Sequence, residues 1–106
     1  MKISQGRKFL VLDYMVREYG PTRAIVYAYI ERESSTPVSD WACCVSEETM
    51  AAGCGISKRS LDAHLQALID DGYIVAVLKR RHAPCIYKPT HNADVMNRKA
   101  IYKDGD

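Results

Sequence analysis

Long apolar runs are missing from this sequence of 106 residues. The apolar stretch at 9–12 ends at Asp13, and no later stretch approaches the ~20 residues that a membrane-spanning helix needs. The N-terminus also lacks the apolar core of a secretory signal. We therefore expect a soluble, cytoplasmic protein that has no membrane as a partner.

The spacing that zinc sites use is missing as well. Paired ligands usually lie about two to four residues apart, whereas Cys43 and Cys44 are adjacent and Cys54 and Cys85 lie far from them and from each other. Disulfides are rare in the cytoplasm. We therefore expect four reduced thiols that are buried as small apolar side chains, and no metal.

Patterns that indicate catalysis or cofactor binding are also absent. The sequence contains no glycine-rich phosphate loop, and its cysteines and histidines show no nucleophile–base arrangement. No stretch indicates a pocket for an effector. We therefore expect a protein that is not an enzyme and that needs neither a cofactor nor a small-molecule ligand.

Charge is unevenly distributed along the chain, although the net charge is only +2. Residues 10–57 hold seven acidic side chains against three basic ones, whereas residues 79–91 hold no acidic side chain at all. The four bases of this second segment are Lys79, Arg80, Arg81 and Lys88. Such a chain can present one basic face while it remains nearly neutral as a whole.

The length and the apolar content of 47% suit one small domain with its own core. Apolar spacing predicts an amphipathic helix at 21–33, which Pro21 is suited to begin. Residues 8–19 fit either a helical stripe or a short strand near Phe9. Residues 43–45 have room for a brief strand.

Two helix starts of the same design follow, eleven residues apart. Ser46 and Ser57 are each suited to cap a helix, and each has one apolar residue directly before it and another four positions after it. This distance leaves two turns of helix and a tight corner, in which Gly55 is predicted to take a positive φ angle. Ala51 is small enough to let the two helices approach closely.

In the C-terminal half of the chain, the residue pattern changes from one typical of helices to one typical of β-strands. The second helix carries apolar residues at 61, 65, 68 and 69 and is predicted to end at 70–72. Residues 73–89 then read as a β-hairpin with a turn at 81–84. A short helix from Asn92 to about Tyr102 is too weak to be stable alone, so it docks on the body, docks on a second subunit, or frays.

Residues 46–74, SEETMAAGCGISKRSLDAHLQALIDDGYI, resemble the helix-turn-helix of winged-helix DNA-binding proteins. The marks are Ala51, Gly55 and Leu61 at spacings of four and six, the SKRS at 57–60, and LIDDGYI before the hairpin. The likeness is strongest to the small winged-helix domains of plasmid and phage replication initiators and of mobile-element regulators.

This resemblance implies an α+β fold, a winged helix-turn-helix with a helical core and a small antiparallel β-hairpin wing. It covers about residues 20–90 of one domain spanning 1–106, with a basic arm at 1–8 and a tail at 91–106. The implied partner is double-stranded DNA, bound in replication, transfer or transcription control. Because one such module covers few base pairs, we also expect a homodimer, with contacts from 8–19 and 92–102.

The predicted DNA contacts lie on the second helix and at the tip of the hairpin. Cations in the first turn of a helix oppose its dipole by ~0.3–1 kcal/mol each, so Lys58 and Arg59 indicate function rather than stability. The whole predicted helix face is Ser57, Lys58, Arg59, Ser60, Asp62, Ala63 and Gln66, with His64 as a packing residue at its edge. The predicted hairpin contacts are Lys79, Arg80, Arg81 and His82.

Side-chain chemistry suggests which bases the helix could read. Arg59 is suited to a guanine edge, Gln66 to adenine, and Asp62 to the amino group of cytosine. However, Asp62 and Ala63 depart from the polar and basic residues usual in the family, which gives the hairpin at least equal weight. The same departure suits the alternative function, a winged helix that binds another protein and not DNA.

Overall fold

The computed structural model describes residues 10–34, 42–78, 86–90 and 92–104. These residues form an α+β structure of five helices and one two-stranded sheet. The elements are α1 (Asp13–Tyr19), α2 (Pro21–Glu33), α3 (Glu47–Cys54), α4 (Lys58–Asp70), β1 (Ile74–Leu78), β2 (Ile86–Pro89) and α5 (Asn92–Asp104). Within the described ranges, no helix combines the length and the apolar character that a bilayer crossing requires.

The ambiguous N-terminal segment is helical over Asp13–Tyr19, in agreement with the helical stripe. The strand alternative concerned residues near Phe9, of which Leu10 and Val11 are described and belong to no strand. Gly20 ends this helix with φ 91°, a conformation that residues with a Cβ rarely adopt, and Pro21 begins α2 directly after it. Residues 1–9, which include the predicted basic arm, lie outside the described residues.

The corner between α3 and α4 has the predicted local chemistry. Ser46 Oγ accepts a hydrogen bond from the Thr49 amide at 3.2 Å, and Ser57 Oγ accepts one from the Ser60 amide at 3.1 Å. Gly55 adopts the left-handed conformation with φ 71°. Both predicted caps and the glycine corner are therefore confirmed, because each depends only on residues a few positions apart.

A close approach between α2 and α3 was not predicted. A Cβ atom on Gly53 would lie 2.5 Å from Cε2 of Tyr29, closer than non-bonded carbon atoms can approach. The Tyr29 ring cannot easily move away, because it is buried and has the Arg32 guanidinium 4.9 Å from its centre. Gly53 therefore sets the distance between the two helices.

Gly53→Ala is expected to lower the free energy of unfolding by about 1–2 kcal/mol. The destabilisation caused by forcing a methyl group against Tyr29 is larger than the stabilisation that alanine gives through its higher helix propensity. Urea denaturation of the two proteins measures the difference. Ala52→Gly, at the neighbouring exposed position, is the control that reports the ordinary propensity effect alone. If Gly53→Ala instead stabilised the protein, α3 would lie farther from Tyr29 than the structure has it.

The hairpin has the predicted antiparallel pairing, with Ile74 opposite Pro89 and Ala76 opposite Tyr87. The predicted strand at 43–45 is reduced to one bridge, in which Cys43 and Tyr87 exchange two backbone hydrogen bonds of 2.7 and 3.1 Å. The hairpin turn at 79–85 lies outside the described residues.

The core lies between α4, α2 and the hairpin. From α4 it receives Leu61, Leu65 and Leu68, as the apolar spacing predicts; Ile69 packs against it and is only partly buried. Its largest fully buried side chains are Tyr27, Met15, Ile30, Met50, Leu61, Leu68, Ile74, Val26 and Cys43. This burial leaves the opposite face of α4 to solvent.

The C-terminal helix docks on the body of the protein, which confirms one of the three alternatives for the tail and excludes fraying of the described helix. Docking on a second subunit as well stays a prediction. Ala93 is fully buried, and α5 packs against α1. The Asn92 side-chain amide and the Thr90 hydroxyl both donate hydrogen bonds to the carbonyl oxygen of Gly72, at 2.8 and 2.6 Å. The helix extends to Asp104, slightly beyond its predicted end.

The prediction of buried thiols is correct for only part of the cysteines. Cys43 is buried, and this burial raises its pKa to about 11, so the thiol is protonated at neutral pH. Cys54 is half-buried, whereas Cys44 is exposed and contradicts the prediction. Its side chain points away from the core because successive residues of an extended segment face opposite sides. Cys85 lies outside the described residues.

Candidate nucleic-acid interface

The predicted contact face of α4 is turned away from the core. Leu61, Leu65 and Leu68 occupy the inner side of the helix, so residues about half a turn away point outward. The exposed members of the predicted face are Ser57, Lys58, Arg59, Asp62, Ala63 and Gln66, and Ser60 is half-buried. The structure therefore places the predicted helix residues together on one surface, with Ser60 at its edge.

Lys58 is engaged with the acidic first turn of α3. Its Nζ atom lies 3.2 Å from Oε1 of Glu48 and 4.0 Å from Oε2 of Glu47. The hydrogen bond from Lys58 to Glu48 raises the pKa of the lysine. The pKa of Glu48 is lowered mainly by the hydrogen bond that its carboxylate accepts from its own backbone amide, and further by the hydrogen bond from Lys58. A phosphate that approaches Lys58 must therefore compete with a carboxylate already in contact with it.

A second acidic contact crosses the same corner. Desolvation raises the pKa of Glu47, and the negative charge of Asp62 on α4 raises it further, while Lys58 lowers it. The N-terminal end of the α4 face is therefore a mixed patch of acids and bases. This mixed patch was not predicted from the sequence. Glu47 and Glu48 lie in the first turn of α3, where their negative charges interact favourably with the dipole of that helix.

Arg59 differs from its neighbour. It is exposed, and within the described part of the chain it has neither a hydrogen bond nor an ion pair. The other polar candidate, Gln66, donates a hydrogen bond to Oδ1 of Asp70 at 2.9 Å, one helical turn further on. Arg59 is thus the cation of this face that can take a new partner without losing an old one.

His64 lies at the edge of the face and is held by α2. Its Nδ1 atom accepts a hydrogen bond from Nε of Arg23 at 3.3 Å, and the same guanidinium lies 5.8 Å above the ring of Tyr19. Burial lowers the pKa of His64, and the positive charge of Arg23 lowers it further. The histidine is therefore half-buried and held by α2, which agrees with the prediction of a packing residue; that it does not contact DNA stays a prediction.

Not every predicted residue can be placed. Lys79, Arg80, Arg81 and His82 lie outside the described residues, between the end of β1 and the start of β2. Among the residues that are described, no three histidine, cysteine, aspartate or glutamate side chains come together in a geometry that could hold a metal ion.

No protein-family model, curated protein or solved structure matches this chain. A fold class alone is compatible with many activities, so function must be inferred from the surface residues themselves. On α4, these residues combine a free guanidinium with an amide and a mixed patch of charges. Such a surface can bind a polyanion or another protein.

Proposed function

We propose that this protein is a winged helix-turn-helix domain that binds double-stranded DNA sequence-selectively, in the replication, transfer or transcription control of a mobile element. In this proposal, α4 is the recognition helix and enters the major groove. The basic hairpin tip, Lys79 to His82, contacts the phosphate backbone or the adjacent minor groove. The protein is not an enzyme and uses no cofactor.

The order of the elements supports this proposal. Helix α2 is followed by the bridge at Cys43, by the pair α3 and α4 with its glycine corner, and then by the hairpin. The bridge to Tyr87 adds a third, minimal strand to the hairpin sheet. A helix-turn-helix followed directly by a hairpin is the arrangement that the resemblance of residues 46–74 implies.

The observation that carries the proposal is the free, exposed guanidinium of Arg59 at the start of a capped helix. A guanidinium there has no folding benefit, since the helix dipole repels it. Against DNA the sign reverses, because the amides of the first turn and the side chain attract the same anion. Arginine also offers two parallel donors to a guanine edge.

Arg59→Ala is expected to weaken binding to the cognate DNA about 5- to 150-fold, the range for loss of one bidentate base contact. The measurement is a fluorescence titration with fragments that flank the protein's own gene, at two salt concentrations. Arg98→Ala is the matched control, because it removes one exposed guanidinium from α5. The proposal fails if neither the parent protein nor any variant binds a fragment at low salt.

Glu48→Gln is expected to act in the opposite direction and to strengthen DNA binding up to about fivefold. The change replaces the ion pair of Lys58 at 3.2 Å by at most a neutral hydrogen bond and removes a negative charge near the phosphates. The same titration measures it, and its gain should shrink as salt rises. An unchanged affinity would place the corner of α3 and α4 away from the DNA.

The second candidate function is a winged-helix module that binds another protein. The observation that favours it is the acidic patch of Glu47, Glu48 and Asp62, which repels a phosphate backbone. Salt dependence separates the two functions, because DNA binding through basic side chains weakens steeply as salt rises. A protein-binding module would show no DNA affinity from which to measure a slope.

A further inference from the structure

A cleft of about 370 Å³ lies between α1, α5 and the turn after α4. Its α5 side consists of Asn92, Val95, Met96 and Lys99, which follow one another at i, i+3, i+4 and i+7. This spacing is that of one continuous helix face. The face is distinct from the side of α5 on which Ala93 is buried against the body.

Two apolar side chains of this helix face are exposed to water beside the cleft. Val95 and Met96 are 44% and 38% exposed. On the α1 side, Val16 is also exposed and lies one helical turn before Tyr19, which lines the cleft. An exposed apolar surface with polar groups at its rim is typical of a protein–protein interface.

The wall of the cleft opposite α5 is held rigidly by three tyrosines. The hydroxyl of Tyr73 lies 2.8 Å from the hydroxyl of Tyr14 and 2.8 Å from that of Tyr19. Three hydroxyls carry three hydrogens, and the two bonds use only two of them. One hydroxyl hydrogen is therefore left over from the trio as a donor for a further acceptor.

Two opposite charges line the same cleft without pairing. The carboxylate of Asp71 and the ammonium of Lys99 both border it, and neither has an ion-pair partner within the described residues. A surface that carries one free acid and one free base is complementary to itself when a two-fold axis passes between the two charges. Isologous dimer interfaces have this property, because each contact from one copy is repeated by the other.

We propose that this cleft and the α5 face beside it form the two-fold interface of a homodimer, in which Lys99 of each copy pairs with the partner's Asp71 and the apolar side chains Val95 and Met96 pack between the two. This inference concerns the protein alone and does not depend on DNA binding.

The position of the interface also defines how the dimer presents α4. Asp71 follows the last turn of α4, whereas Arg59 lies in the first turn, about 18 Å away along the helix. In the proposed dimer, Asp71 therefore places the C-terminal end of each α4 helix at the interface, about twelve residues along the chain from Arg59. In the proposed function, this arrangement gives two separate half-sites on a palindromic DNA.

Sedimentation equilibrium without DNA tests the interface. The parent chain of 11.9 kDa is expected to show twice that mass at micromolar concentrations. Asp71→Lys and Lys99→Asp are each expected to weaken dimerisation at least about tenfold, because like charges then face each other twice across the axis. The double variant, with both charges exchanged, is expected to regain dimerisation because the pairs re-form with reversed sign.

Arg98→Asp is the matched control, because it makes the same kind of charge reversal on α5 outside the cleft. It is expected to leave the dimer unchanged. Thermal unfolding tests whether each variant is folded, and all three changed positions are exposed. A parent protein that stays monomeric, or a double variant that does not recover, overturns the proposal. A parent protein that dimerises but does not bind DNA would instead contradict only the proposed function.

Discussion

Replacing Lys79, Arg80 and Arg81 together by alanine is expected to weaken DNA binding about 10²- to 10³-fold at 0.1 M salt. Each phosphate that a cation neutralises contributes a slope of about −0.9 to the dependence of log K on log salt concentration. Loss of three contacts should therefore reduce the magnitude of the slope by up to about 2.7. Titration of both proteins at several salt concentrations measures the affinity and the slope together.

The matched control for this variant removes Lys2, Arg7 and Lys8 from the basic arm, with the same change in net charge. A smaller effect from the arm would assign the loss to the hairpin and not to the overall charge. If the hairpin variant binds as tightly as the parent protein, the tip does not contact DNA. Arg59 and Lys58 would then carry the binding.

Leu61→Ala is expected to lower the free energy of unfolding by about 2–5 kcal/mol, the usual cost of a cavity at a fully buried leucine. Leu61 is 0% exposed and joins α4 to the core through its inner face. Because a domain of this size is stabilised by only ~5–15 kcal/mol, the change removes a large share of it. Chemical denaturation monitored by circular dichroism measures the loss.

Gln66→Ala is the control on the same helix, since its side chain is exposed and its hydrogen bond to Asp70 lies at the surface. It is expected to change stability by no more than about 0.5 kcal/mol. If the two variants lost the same free energy of unfolding, α4 would be rotated about its axis relative to its orientation in the structure. The outward face on which the DNA-binding proposal depends would then be a different one.

Features that depend on a few neighbouring residues were predictable. The caps at Ser46 and Ser57 and the positive φ of Gly55 follow from groups that lie within one turn of each other. The outward direction of Arg59 follows from the positions of the leucines on the same helix. The cap at Ser57 and the stop signal at 70–72 also predict the ends of α4, which is observed from Lys58 to Asp70.

Features that depend on contacts between distant segments were not predictable. The pairing of Lys58 with Glu48 arises only because the tight corner folds the start of α4 back toward the start of α3. The approach of Gly53 to Tyr29 joins residues on different helices. No periodicity within either segment encodes such a distance.

The sequence by itself determined the local elements of this protein, because capping, glycine geometry and apolar periodicity act over one or two turns of chain. The tertiary structure decided the rest: whether Asp13–Tyr19 is a helix, where α5 docks, and which charges remain free. These outcomes depend on the free energy of packing and ion pairing between elements far apart in the chain. The proposals for Arg59 and for Asp71 with Lys99 depend on such an outcome, because the fold leaves these three side chains without ion-pair partners in the described residues.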